Sequence, residues 1–161
     1  MKPDQPKRIR QDAEESAVDR IDRAILVALQ QNARLSNKEL AARVGLAESS
    51  CHERVKRLLR SGVVRGFHAE VDPRVLGAGL QALVAVRLQR HTSAEVASFR
   101  EAMLALDEAV QVFHVAGAND FLVHVAVRDS DALRDLILSA FTARPEVLHV
   151  ETSLIYEQLR K

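Results

Sequence analysis

Residues Leu35 to Val71, LSNKELAARVGLAESSCHERVKRLLRSGVVRGFHAEV, constrain the fold most, because two helical patterns flank a one-glycine turn and a strand pattern follows them. Ser36 and Glu39 have the S-x-x-E spacing of a capping box, and Leu40, Ala41 and Val44 then mark one apolar helical face. Gly45 stops that helix. A second helix is predicted from Ala47 to Ser61, where Cys51, Val55, Leu58 and Leu59 recur at the spacing that gathers side chains on one buried stripe. Gly62 ends it, and Val63 to Val71 reads as a strand. Two short helices, a tight turn and a strand make a winged helix-turn-helix arrangement.

The outward face of the second helix points to the ligand such a motif takes. Ser49, Ser50, Glu53, Lys56, Arg57 and Arg60 turn away from the stripe, with His52 and Arg54 on its flanks. Between Glu53 and Glu70 there is no acidic residue, while Arg54, Lys56, Arg57, Arg60 and Arg65 supply positive charge. Hydroxyls and a histidine in the first turns suit base edges, and the cations beyond suit the phosphate backbone. The plain alternative is a solvated basic helix face. Arg57→Ala is expected to weaken DNA binding without affecting folding. The whole chain of 161 residues carries a net charge of only +1, yet residues 1–74 hold 15 basic and 11 acidic groups, and the remainder hold 8 and 11. The positive half is the motif half.

A hydrophobic content of 47% with 28% charged residues suits a globular protein of one or two small domains. The opening MKPDQPKRIRQDAEESAV has neither a signal peptide's apolar core nor a membrane-spanning run, so the expected location is the cytoplasm. Residues 1–18 read as a disordered tail, and its Lys7, Arg8 and Arg10 are assigned no role. Cys51 is the sole cysteine, so no internal disulfide forms. Its place on the stripe makes it a small core residue, while its nearness to a helix N-terminus leaves a reactive thiol as the alternative.

A helix from Asp19 to Gln31, with Ile21, Ile25, Ala28 and Leu29 inward, completes a three-helix domain over residues 19–72. Asp72-Pro73 and the Gly77/Gly79 pair mark a linker at 73–79. From 80 to 157 the pattern is written twice: strand Leu80–Gln89, helix Ser93–Leu106, strand Val110–Ala116, then strand Phe121–Val127, helix Ser130–Ala143, strand Val147–Tyr156. Residues 158–161 form a short tail. Thr92 with Glu95 reads as a capping box, Val96, Phe99, Met103 and Leu106 as one apolar face, and Leu133, Leu136, Ile137, Ala140 and Phe141 as a second. The expected fold is α+β, a βαββαβ ferredoxin-like module behind the helix-turn-helix domain. Leu83, Leu122 and Ala126 alternate with Val84, Val86, Val123 and Val125, so both sheet faces are apolar. Two helices cover one face; the other calls for a second copy packed by two-fold symmetry.

This order of parts resembles the leucine-responsive and asparagine-responsive (Lrp/AsnC, feast/famine) family of transcription factors over residues 19–157. The likeness rests on IDRAILVALQQNARLSNKELAARVGLAESSCHERVKRLLRSGVVRGFHAEVDPRVLG and on the later VAGAND turn. It implies a RAM-type second domain, dimers through that domain stacked into tetramers or octamers, and an amino acid effector near the turn Gly117, Ala118, Asn119, Asp120. Two departures stand out. Many relatives carry an acidic residue where this chain has Ala118, and a hydroxyl N-cap where it has Ala47. Asp120 is left as the anchor for an effector's ammonium, or it is a turn residue bonding its own backbone.

No catalytic site emerges. The six histidines, at 52, 68, 91, 114, 124 and 149, lack metal-ligand spacing, and no phosphate-cradling loop is present, so neither a metal nor a cofactor is expected. A related group with the same two-domain plan decarboxylates a tetrapyrrole, and His114 and His124 flank the effector turn; their alternative is ordinary strand histidines at a subunit contact. The expected protein is a cytoplasmic, homo-oligomeric regulator that reads a two-fold site in double-stranded DNA and senses an amino acid. A ligand-independent, DNA-organising regulator is the alternative.

Overall fold

The computed structural model of the protein describes residues 18–69 and 71–159. The tail read over residues 1–18 lies outside them apart from Val18, and of the tail 158–161 only Gln158 and Leu159 lie within. The chain divides between residues 69 and 70 into two units, each with its own core.

Among the described residues the first unit holds three helices: α1 (Arg20–Gln31), α2 (Asn37–Val44) and α3 (Glu48–Arg60). Each start follows from local chemistry. Asp19 and Asp22 cap α1 reciprocally, Asp22 N–H donating to Asp19 Oδ1 at 2.7 Å and Asp19 N–H to Asp22 Oδ2 at 3.1 Å. Ser36 and Glu39 form the predicted box on α2, and Gly45 closes that helix at φ 71°, a left-handed conformation that favours glycine. Ala47 starts α3 with extended dihedrals and no side-chain cap bond. Ile25, Ala28, Leu29, Leu40, Ala41, Cys51 and Leu58 close the core. Leu59, predicted on the stripe, is 39% exposed. At 100° per residue it stands about 80° from Cys51, at the edge of the face rather than within it.

The strand predicted over Val63–Val71 does not form among the described residues of that segment. A strand needs a neighbour to take its backbone hydrogen bonds, and the segment has none among the described residues. Val63, Phe67 and Val71 are exposed along it.

The second unit begins with a single 3₁₀ turn, Pro73–Leu76, capped by Asp72. It continues as β1 (Leu80–Leu88), α4 (Ser93–Leu104), β2 (Ala109–His114), β3 (Phe121–Val127), α5 (Ser130–Leu136) and β4 (Val147–Leu154). The strands form one antiparallel sheet in the order β2-β3-β1-β4, the ferredoxin-like order. Ala82, Val84, Val86 and Leu88 from β1 and Phe121, Val123, Val125 and Val127 from β3 meet Phe99 and Met103 of α4 and Leu133, Leu136 and Phe141 beyond them. The rings of Phe99 and Phe121 lie 4.8 Å apart at the centre.

Two details depart from the sequence reading. Thr92 caps α4 by accepting the Glu95 N–H at 3.2 Å, but Glu95 Oε2 takes the Thr92 hydroxyl at 2.7 Å, so the box is only half made. The helix predicted through Ala143 widens into a π-turn at Ile137–Thr142. There Thr142 Oγ1 donates to the Ile137 and Leu138 carbonyls and Ser139 Oγ to the Asp135 carbonyl, which supports the wider turn while Phe141 stays buried.

The far face of the sheet carries neither α4 nor α5. Phe113, Leu122 and Ala85 lie in one row across β2, β3 and β1, and His124 and Leu83 in the next. The first row runs on to Glu151 of β4 and the second to Ser153, and Arg87 pairs with His149 beyond them. The far face is therefore apolar only around Phe113, Leu122, Ala85 and Leu83, and the expectation of two apolar faces is corrected: β4 brings polar residues to one side of it.

Candidate nucleic-acid interface and effector turn

Helix α3 rests on the core through Cys51 and Leu58 and turns Ser49, Ser50, His52, Glu53, Lys56 and Arg60 to solvent. Arg65, after the helix, is exposed as well. Glu53 and Lys56 are loosely paired at 3.5 Å. Burial raises the Cys51 thiol above its ordinary value, which suits a core residue and opposes a reactive thiolate.

Arg54 and Arg57 behave differently from the rest of the face. Asp22, on α1, is fully buried, and its two oxygens hold both arginines: Arg54 Nη1 donates to Oδ1 at 2.9 Å and Arg57 Nη2 to Oδ2 at 2.6 Å. Arg54 Nη1 also reaches Asp19 Oδ2 at 2.6 Å. The Asp19 carboxyl is held down to about 2, first by the Asp22 N–H and then by Arg54. The expectation that Arg57→Ala leaves folding untouched is therefore corrected. That change strips a buried carboxylate of one charged donor, at a cost of about 1–3 kcal/mol. Sequence reasoning missed Asp22. Its signal was an acid three residues before Ile25, on the inward face of α1, opposite a helix bearing two arginines three apart.

The turn Gly117–Asp120 joins β2 to β3. Gly117 has φ 136°, where a side chain would be strained, and Gly117 and Ala118 are exposed while Asn119 and Asp120 are half-buried. Asp120 does not bond its own turn through its side chain. Oδ2 accepts the Leu88 N–H at 2.8 Å, and Oδ1 lies 2.8 Å from Nε2 of the exposed His91. The carboxylate thus ties the end of β1 to the start of β3 and keeps one oxygen near the surface.

The two histidines beside the turn do not converge. His114 stacks on Phe121 with ring centres 4.7 Å apart, whereas His124 stands among the residues of the opposite sheet face, 5% exposed, with Nε2 2.8 Å from Gln81 Oε1. Among the described residues no group of acidic, histidine or cysteine side chains could hold a metal ion, and no helix is long and apolar enough to cross a membrane.

Residues 18–65 match the family model described as winged helix-turn-helix DNA-binding, and residues 81–161 match the Lrp/AsnC ligand binding domain. Together they define a DNA-binding transcriptional regulator with a separate ligand-binding domain. The HTH-type transcriptional regulator AldR of Mycolicibacterium smegmatis is 43% identical over 89% of this chain and 84% of its own length. The crystal structure of MtbAldR, from Mycobacterium tuberculosis, is 38% identical with a TM-score of 0.78, covering 89% of this chain and 97% of that one. A Neisseria meningitidis transcriptional regulator solved with L-Met is 29% identical with a TM-score of 0.79, covering 90% and 94%. The chain belongs to the Lrp/AsnC family.

Proposed function

We propose that this regulator works in the cytoplasm as a homodimer or a larger assembly of dimers, reads a two-fold operator with α3, and changes its DNA affinity when an amino acid binds at the Gly117–Asp120 turn. The observation that carries the reading is the composition of the α3 face. Ser49, Ser50 and His52 stand exposed at its N-terminal end, where a recognition helix meets base edges, with Glu53 beside them. Lys56, Arg60 and Arg65 lie beyond as exposed cations for phosphates, joined by the remaining N–H groups of Arg54 and Arg57. The apolar patch of Phe113, Leu122 and Leu83 on the far sheet face supplies the contact between copies.

At the turn, Gly117 leaves open space, Ala118 and Asn119 line the approach, and Asp120 Oδ1 is the oxygen a ligand's ammonium would take from His91. The Neisseria relative, solved with an amino acid, supports that ligand class. One observation favours a ligand-independent DNA-organising protein instead: both Asp120 oxygens already have partners inside the chain. Thermal-shift screening against the twenty amino acids separates the two. A true ligand at 100 times its Kd adds about 2.7 kcal/mol to stability and should alter operator affinity. No shift with any of them would leave the assembly role alone.

A further inference from the structure

We propose that Asp22, though sealed from solvent, is a positioning residue for DNA contact: it holds the guanidinium groups of Arg54 and Arg57 so that they present their other N–H groups to one backbone phosphate. The proposal rests on the reading of α3 as the DNA surface. An arginine is a planar fork of five donors, and a carboxylate that takes one terminal nitrogen fixes the plane of the rest. Asp22 does this twice, through Arg54 Nη1 on Oδ1 and Arg57 Nη2 on Oδ2. Arg54 Nε and Nη2 and Arg57 Nε and Nη1 make no hydrogen bond within the described residues. Both side chains remain about 30% exposed while Asp22 is fully buried, so the pair is anchored from below and open above.

Above them lies a recess of about 370 Å³ lined by Asp19, Glu53, Arg54, Arg57 and Arg60. Its two surface acids are already engaged, Asp19 with Arg54 and Glu53 with Lys56. Arg60 adds a cation with no ion pair among the described residues. Asp22 is itself oriented by the Asp19 N–H at 3.1 Å, so the start of α1 sets the geometry of two α3 side chains. A guanidinium left free on the surface must give up rotamer entropy when it meets DNA; one already fixed by a buried carboxylate has given it up on folding.

The sign of one substitution separates positioning from simple charge. Asp22→Asn deletes a negative charge beside the DNA surface, so an electrostatic role alone requires tighter binding. Positioning requires weaker binding, by about tenfold, the equivalent of one charge-assisted hydrogen bond, and a slope of log K against log salt that is smaller in magnitude by about one. The probe is a labelled random-sequence duplex titrated with the full-length protein at several salt concentrations. A purely structural loss would lower the active fraction at every salt and leave the slope unchanged. Arg57→Lys keeps the charge and the packing but cannot span carboxylate and phosphate as a fork; it should lose a similar factor, and the double variant should lose little more. Equal or tighter binding by Asp22→Asn with an unchanged slope overturns the proposal. Lys56→Ala, outside the network, reports on the parent reading: if it too leaves the slope unchanged, α3 is not the DNA surface, whereas a lowered slope in that variant alone defeats only the role of Asp22.

Discussion

Asp120 shows how one carboxylate serves two masters at the scale of a residue. Its Oδ2 closes the β1–β3 junction through the Leu88 N–H, and its Oδ1 faces His91 near the surface. Asp120→Asn keeps an acceptor for Leu88 but removes the charge, so effector response should vanish while stability changes little. Asp120→Ala should lose the response and also about 1–3 kcal/mol of stability from the unpaired amide. Calorimetry with the best amino acid, run beside denaturant melts, reads both; unchanged effector affinity in Asp120→Asn would move the ligand site elsewhere. Asp19 carries part of the acid-side pH dependence, alongside Glu39, Asp72 and Asp129, whose carboxyls are also held below their ordinary values by hydrogen bonds. Its carboxyl sits at about 2 in the fold against 3.8 when free, so its ionised form stabilises the protein above about pH 3.8 and that contribution is lost as pH falls through 2. Asp19→Asn retains a capping oxygen without the charge. The wild type should be the more stable of the two at neutral pH, and the gap should close below pH 2; a gap constant with pH would contradict the assigned cause.

Among the described α-helices, α3 is the one whose start is left uncapped. Ala47 already has the extended dihedrals of an N-cap, φ −67° and ψ 146°, and lacks only the oxygen. Ala47→Ser should therefore stabilise the protein by about 1 kcal/mol, read as a higher denaturant midpoint at constant slope. No gain would mean that the first turn is satisfied in another way. Helices were legible wherever a cap and an apolar face coincided: Ser36 and Glu39 before Leu40, or Thr92 before Phe99. The sheet was legible because alternation in β1 and β3 names both faces at once. The Val63–Val71 strand was misread because its residues carry strand propensity but find no partner strand among the described residues, and propensity alone does not make a ladder. The π-turn after α5 was invisible because hydroxyl-to-carbonyl bonds at Ser139 and Thr142 leave the apolar spacing nearly helical. At the site, the outward residues of α3 followed from the wheel. The anchoring of Arg54 and Arg57 did not, since it depends on a carboxylate more than thirty positions away in sequence.

At the scale of the whole molecule, the second domain has one sheet face covered by helices and another with an apolar centre around Phe113, Leu122 and Leu83, and α3, proposed to read DNA, needs a two-fold mate to read a palindrome. Leu122→Arg places a charge in the middle of the row formed by Phe113, Leu122 and Ala85. It should convert the full-length protein to monomers in sedimentation velocity while helix and strand content persist, because an unpaired charge buried at a contact is costly. Retained oligomers would place the contact between copies on another surface.

Footprinting of genomic fragments selected by the full-length protein tests most directly that α3 reads sequence in a two-fold assembly. Protection should fall on two half-sites about one helical turn, or a multiple of it, apart. Ser50→Ala or His52→Ala should change the preferred base at a matching position in each half-site, by about 1–3 kcal/mol, while Lys56→Ala should weaken all sequences alike. Protection spread evenly along every fragment, with Ser50→Ala and His52→Ala weakening all sequences uniformly, would contradict the assignment of α3 as a reader of bases.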